Sequence, residues 1–174
     1  FDVGVRQLGG QSLILSGADM QLGHGESVSD TAQVLSRYVD LIMIRTFSAE
    51  TLRELSEHST VPVINGLTDH SHPCQIMADI LTFEEKRGSI SGKEILWIGD
   101  GNNVCNSLIQ ASAKFNFLLK FSGPSALDPD KKVVKAAIAD GAAFEIQRDV
   151  DAAVKSADLI ITAVSYTHLR AHEP

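Results

Sequence analysis

Short, continuous apolar runs alternate along this chain with segments of helical period, and that alternation limits the fold more than any other feature. The runs at 12–15, 41–44, 61–64, 95–98, 117–119 and 159–161 are built mainly from leucine, isoleucine and valine. Such runs have no polar face, so as strands they must be covered on both sides of a sheet. Between them, one helix stops near residue 8 before Gly9 and Gly10, and another opens at Ser29 or Asp30 and runs to Tyr38. A third opens at Ser48 and passes through Leu52 and Leu55 to His58, and a long one runs from Pro73 to Arg87 before Gly88. Asp128 followed by Pro129 reads as a cap with proline at the first helical position, ahead of a stripe of Val133, Val134, Ala137 and Ile138. Strands and helices in alternation predict an α/β fold of parallel strands joined by right-handed crossovers. The loop 65–71 is polar and turn-rich, and the glycines and serines at 88–92 mark a fresh start. The architecture expected is two partial doubly wound parallel-sheet domains, residues 1–72 and 89–163, joined by a long helix over 73–88.

Composition narrows the function classes. The 174 residues carry 15 Lys and Arg against 22 Asp and Glu, a net charge of −7, and 44% of the chain is hydrophobic. No run approaches the roughly 18 apolar residues of a membrane span, and an acidic balance argues against a nucleic-acid surface. An anionic ligand would have to be held by a few placed groups. Two cysteines, Cys74 and Cys105, are too few for a disulfide framework, and no cationic-then-apolar segment opens the chain. Both features point to a cytoplasmic protein.

Three places combine chemistry with a strand-to-helix turn, where open parallel sheets bind ligands. His72, Pro73, Cys74 and Gln75 begin the long helix. They offer an imidazole, an amide and unpaired backbone N–H groups to an anionic or carbonyl-bearing ligand; a capping histidine and a solvated glutamine would give the same spacing. Arg45 follows four apolar residues and so stands at a strand's C-terminal end, free for a phosphate or carbonyl oxygen, or else paired with a helix carboxylate. Gly99-Asp100-Gly101-Asn102-Asn103-Val104 resembles a dinucleotide fingerprint only in part. Val104 stands where the last glycine belongs, and no carboxylate closes the next strand at Phe121-Ser122-Gly123. The amides of Asn102 and Asn103 suit an amino acid better than a pyrophosphate, or serve as turn and cap. Asp69, His70 and His72 lie too close together, without a remote third ligand, to make a metal site. Cys74 and Cys105 read as small fillers, and Asp79, Glu84, Glu85 and Lys86 as a solvated helix face.

In their order along the chain these pieces resemble the transcarbamylase family, and its ornithine enzymes more than its aspartate ones. The residues that carry the resemblance are Arg6 to Gly10, Leu22 to Ser27 with Asp30 to Ala32, Arg45, Val61 to Leu67, the tetrad His72 to Gln75, Asp79 to Thr82, and Trp97 to Val104. The resemblance implies a carbamoyl-phosphate domain that holds its ligand through Arg45, His72 and Gln75, followed by an ornithine domain that uses Asn103. Arg45 and His72 are the catalytic residues it implies, with no metal and no other cofactor. The implied reaction moves a carbamoyl group from carbamoyl phosphate to the side-chain amine of L-ornithine, giving citrulline and phosphate, in a homotrimer with active sites between subunits. Putrescine or an N-acylated ornithine is an alternative acceptor, and a non-catalytic amino-acid or phosphate-binding module is the alternative function. The family's Ser-Thr-Arg-Thr-Arg and Ser-Met-Gly segments do not occur in the chain. Residues 164–174 read as a non-family tail, and the 174 residues alone are expected to be inactive.

Overall fold

A computed structural model describes residues 1–16 and 26–163. The stretch around Gly23 to Gly25 and the tail 164–174 lie outside the described residues. The elements in chain order are α1 (Asp2–Gln7), α2 (Val28–Leu35), β1 (Ile42–Arg45), α3 (Ala49–His58), β2 (Val63–Leu67), α4 (Pro73–Arg87), β3 (Glu94–Ile98), α5 (Asn103–Phe115), β4 (Leu118–Ser122), α6 (Lys131–Ala139), β5 (Ala143–Ile146), α7 (Val150–Ser156) and β6 (Leu159–Thr162). The described residues form two compact units, one within 1–42 together with 53–64, the other of 43–52 together with 65–163.

In the first unit, Ser27 caps α2 by accepting the Asp30 N–H at 3.0 Å. The cap therefore lies two residues before Ser29 and three before Asp30, and Asp30 falls inside the first turn, where its charge suits the helix dipole. Ser36 Oγ donates to the Ala32 carbonyl and accepts the Thr60 N–H at 3.1 Å, which ties the end of α2 to the segment leaving α3. The run 12–15 forms no strand. A strand exists through its partner rather than its side chains, and among the described residues nothing pairs with Leu13, Ile14 and Leu15, which are exposed.

β1 and β2 make a two-stranded sheet. Ile42 N–H donates to the Pro62 carbonyl at one end and Thr46 N–H to the Leu67 carbonyl at the other, an advance in the same direction on both strands, as in a parallel pair. Gly66 is needed there because a Cβ would sit 2.6 Å from Met43 Sδ and 2.9 Å from the Ile44 carbonyl oxygen.

The second sheet is parallel throughout, in the order β5-β4-β3-β6. The chain steps outward from β3 through β4 to β5, then returns to the other side of β3 as β6. α5 and α6 pack together on the outward path, while α7 lies against β3 and β4 on the return, so each parallel connection is made through a helix. The core forms around Trp97, Phe117 and Phe121, at most 1% exposed, with Ile76, Ile80 and Phe83 of α4 joining it. Each side chain so buried contributes about 1.5–3 kcal/mol. β5 and α7 were not anticipated. β5 is a four-residue edge strand carrying the polar Glu145, and α7 is a short helix capped by Asp149. The expected Asp128 cap is also displaced: Asp130 caps α6 through the Lys132 N–H at 2.7 Å. Both Asp128 carboxylate oxygens are taken by Arg148 at 2.7 Å, and a carboxylate held by a guanidinium is not free to cap.

Candidate active site

All four residues singled out in the sequence fall in the second unit. Arg45 ends β1, and the chain leaving it is joined to the chain leaving β2. Thr46 N–H donates to the Leu67 carbonyl and Asp69 N–H to the Phe47 carbonyl, both at 3.0 Å. Arg45 therefore stands on the edge from which the loop 68–72 departs. It is exposed, and among the described residues no carboxylate pairs with it, so the structural salt bridge allowed by the sequence is not what it makes.

The loop is a tight turn around Thr68, which is fully buried. Thr68 Oγ1 accepts the N–H groups of His70 at 3.3 Å and Ser71 at 3.1 Å, while its own N–H donates to the Ser71 carbonyl at 2.9 Å. Asn65 Nδ2 donates to Ser71 Oγ at 2.9 Å, and Cys74 Sγ donates back to the Asn65 carbonyl at 3.2 Å. The turn is held before any ligand is considered.

His72 occupies the N-cap position of α4 with Pro73 after it, yet its imidazole makes no capping bond. Its Nδ1 is buried without a hydrogen-bond partner among the described residues. A buried N–H lacking an acceptor is costlier than an unused lone pair, so the neutral ring keeps its proton on Nε2, the nitrogen it can offer a ligand as a donor. Burial, and secondly the positive charge of Arg45, hold the His72 pKa below the ordinary histidine value, with Asp79 pulling weakly the other way. Both effects favour the uncharged ring.

Gln75, in the first turn of α4, donates its Nε2 to Asp79 Oδ1 at 2.9 Å, which leaves the amide carbonyl oxygen as the group it presents. Asp79 is half-buried rather than part of a purely solvated face; the i, i+4 spacing from Gln75 was the signal for this pair.

Asn103 opens α5 but does not cap it. Asn102 does, accepting the Val104 and Cys105 N–H groups at 3.0 and 3.1 Å. Asn103 Nδ2 instead donates to the Thr68 carbonyl at 2.7 Å, placing the start of α5 against the turn that precedes His72. The glycine turn before α5 is closed from within the fold. Gly101 N–H donates to the Leu127 carbonyl at 2.7 Å, and a Cβ at Gly101 would collide with the Pro129 backbone. Cys105 is fully buried, which pushes its thiol far above the ordinary range; it is a filler, as expected. Sequence reasoning passed over Asn106 and Ser107, which share the Asn103 face of α5 at the i+3 and i+4 positions.

A guanidinium, a neutral imidazole N–H, an amide carbonyl and a second amide thus lie at strand ends and helix starts. The guanidinium and imidazole suit an oxygen that gains negative charge, and the Gln75 carbonyl suits an N–H donor on the same ligand. Fold and candidate residues together point to a class: parallel α/β proteins with polar groups placed at the C-terminal edge of the strands, where such sheets bind small molecules. Residues 1–85 match the family model described as aspartate/ornithine carbamoyltransferase, carbamoyl-P binding domain, and residues 91–172 match its Asp/Orn binding domain. The chain belongs to the aspartate/ornithine carbamoyltransferase family. It is 63% identical over 162 residues to an ornithine carbamoyltransferase of Roseobacter denitrificans, covering 93% of this chain and 53% of that protein. With one from Cereibacter sphaeroides it shares 58% over 174 residues, all of this chain and 56% of that protein. The chain therefore spans about half the length of the curated relatives it matches. Among solved structures, ornithine carbamoyltransferase from Pyrococcus furiosus superposes with a TM-score of 0.89 at 43% identity, over 98% of this chain and 56% of that one. The enzyme from Burkholderia thailandensis gives 0.85 at 46%, over 92% and 55%. Among the described residues no helix is long and apolar enough to cross a membrane.

Proposed function

We propose that a full-length protein carrying this sequence transfers the carbamoyl group of carbamoyl phosphate to the side-chain amine of L-ornithine, releasing citrulline and phosphate. The observation that carries the proposal is the pairing of Arg45 with an uncharged, non-capping His72 on one strand edge, Gln75 one turn along. Attack of the amine on the carbamoyl carbon pushes electrons onto the carbonyl oxygen. Arg45 and the His72 Nε2–H are donors already in place to stabilise that oxygen, so little reorganisation accompanies the step. The Gln75 carbonyl accepts from the carbamoyl NH₂ and fixes its plane. The C–O bond to phosphate then breaks, and the amine proton leaves with the departing phosphate or to solvent. With its Nδ2 given to Thr68, Asn103 offers a carbonyl oxygen, the polarity that binds an α-ammonium group and aims the distal amine at the carbon. No protein nucleophile is required.

In this reading residues 1–72 form the carbamoyl-phosphate domain, 73–88 the connecting helix and 89–163 the amino-acid domain. A cytoplasmic homotrimer belongs to the same proposal, supported by the family resemblance. The test is citrulline formation by the full-length protein from ornithine and carbamoyl phosphate, with putrescine and N-acetylornithine as competing acceptors. Ornithine is expected to be preferred, and Arg45→Ala or His72→Ala to lower turnover by about 100-fold or more. Absence of citrulline overturns the reaction, and unchanged turnover in both variants overturns the residue roles.

A further inference from the structure

The loop that ends in His72 is gripped from outside by one face of α5. Asn103 Nδ2 donates to the Thr68 carbonyl at 2.7 Å, Asn106 Nδ2 donates to the His70 carbonyl at 3.1 Å, and the His72 N–H donates to Ser107 Oγ at 2.8 Å. Ser107 Oγ in turn donates to the Asn103 carbonyl at 3.2 Å. Residues 103, 106 and 107 follow the i, i+3, i+4 spacing of a single helix face, so one turn of helix contacts alternate residues of the loop. Asn106 and Ser107 are only 6% and 4% exposed, and their donors are spent on backbone carbonyls.

We propose that Ser107 and Asn106 are positioning residues for His72, fixing the backbone on which its imidazole is aimed. The proposal rests on the reading that His72 touches the carbamoyl group. Two features separate this role from ordinary packing. The bonded N–H belongs to His72 itself, at a helix start where no intrahelical acceptor exists for it. The gripping helix is also rigid, because Cys105, Leu108, Ile109 and Ala111 bury its other residues in the core. Side chains that must be held to a fraction of an ångström are best supported from such an element. The same turn of α5 carries Asn103, so the group proposed for the amino acid and the groups that hold His72 move as one piece.

The test compares Ser107→Ala, which deletes the acceptor, with Ser107→Cys, which keeps a weak one of similar size. In the 174-residue chain, His72 amide hydrogen exchange is followed against Leu108 and Ile109 as internal standards. In the full-length protein, kcat and the KM for each substrate are measured. Loss of one hydrogen bond predicts exchange at His72 about tenfold faster in Ser107→Ala, unchanged relative rates at Leu108 and Ile109, and an intermediate value for Ser107→Cys. In the full-length protein kcat falls about tenfold while the ornithine KM stays within about twofold. A drop in Tm with no selective change at His72, or an unchanged kcat, overturns the proposal. If Ser107→Ala does not fold, Asn106→Ala removes the donor to the His70 carbonyl instead; a lowered kcat with a smaller acceleration at the His72 amide is then expected, and an unchanged kcat overturns the proposal. A full-length protein that makes no citrulline overturns the reaction, while the exchange measurement still decides whether α5 holds His72.

Discussion

Gln75 Nε2 donates to Asp79 Oδ1 at 2.9 Å one turn along the same helix, and this bond decides which end of the Gln75 amide faces the site. With the NH₂ occupied, the carbonyl is presented, the polarity a carbamoyl NH₂ needs. An exposed i, i+4 pair of this kind adds only about 0.2–0.5 kcal/mol to the helix, so Asp79→Ala should leave Tm nearly unchanged. The amide then turns freely, and the KM for carbamoyl phosphate is expected to rise about three- to tenfold with a smaller change in kcat. Steady-state kinetics beside a thermal melt check both halves. A large loss of Tm, or an unchanged KM, would show that the pair is merely structural.

Acid should weaken the fold through His72. Its pKa in the folded chain lies below the ordinary value because of burial and the Arg45 charge, opposed by Asp79. Between the folded and unfolded pKa values the unfolded chain binds more protons, so stability is complete above the unfolded value and is lost as pH falls through this window. The imidazole should titrate below 6.5 by NMR. Arg45→Gln should move it up by removing a like charge, and Asp79→Asn should move it down by removing the opposing one. Movement of either variant in the other direction would contradict the placement of these charges.

The two thiols should differ sharply in reactivity. Cys105 is fully buried and its thiol is pushed far up by that burial, with Asp100 adding to the shift, whereas Cys74 is half-buried at the start of α4. The thiolate is the reactive form, so iodoacetamide should modify Cys74 first and reach Cys105 only on unfolding. Mass spectrometry of timed digests reads the order. Early labelling of Cys105 in native buffer would mean that the core around α5 opens far more readily than its packing implies.

Much of this was legible from residue order. The apolar runs from 41 onward became strands because a fully apolar run has no other stable place, and Pro73 and Gly88 bracket α4 where their backbone chemistry puts them. Arg45 was legible because a polar residue directly after such a run must stand at the strand's end, and His72 because it directly precedes the proline that opens a helix. The failures lie where a partner distant in sequence decides. Asp128 does not cap α6 because Arg148 claims it, and 12–15 lacks a pairing neighbour among the described residues. Ser107 holds His72 from 35 positions further along the chain, which no local pattern displays. Only the helical spacing from Asn103 hinted that Asn106 and Ser107 face the same way.

The partial dinucleotide fingerprint supplies the last prediction. In a nucleotide site the second glycine lets a pyrophosphate approach the backbone. Here Gly101 serves another neighbour: its N–H bonds the Leu127 carbonyl and Pro129 lies where a Cβ would be. Arg148 fastens that covering segment, donating to both oxygens of Asp128 and to the Gly123 carbonyl. Gly101→Ala should therefore destabilise the fold by about 1–3 kcal/mol through overpacking against main chain that cannot easily retreat. Arg148→Ala frees the segment, so the double variant should lose less stability than the sum of the two single ones. Urea unfolding of the four proteins measures that coupling. Strict additivity would mean that Pro129 is not held against Gly101 by the Arg148 clasp, while NADH fluorescence unaltered by the wild-type chain is expected from a glycine turn already filled.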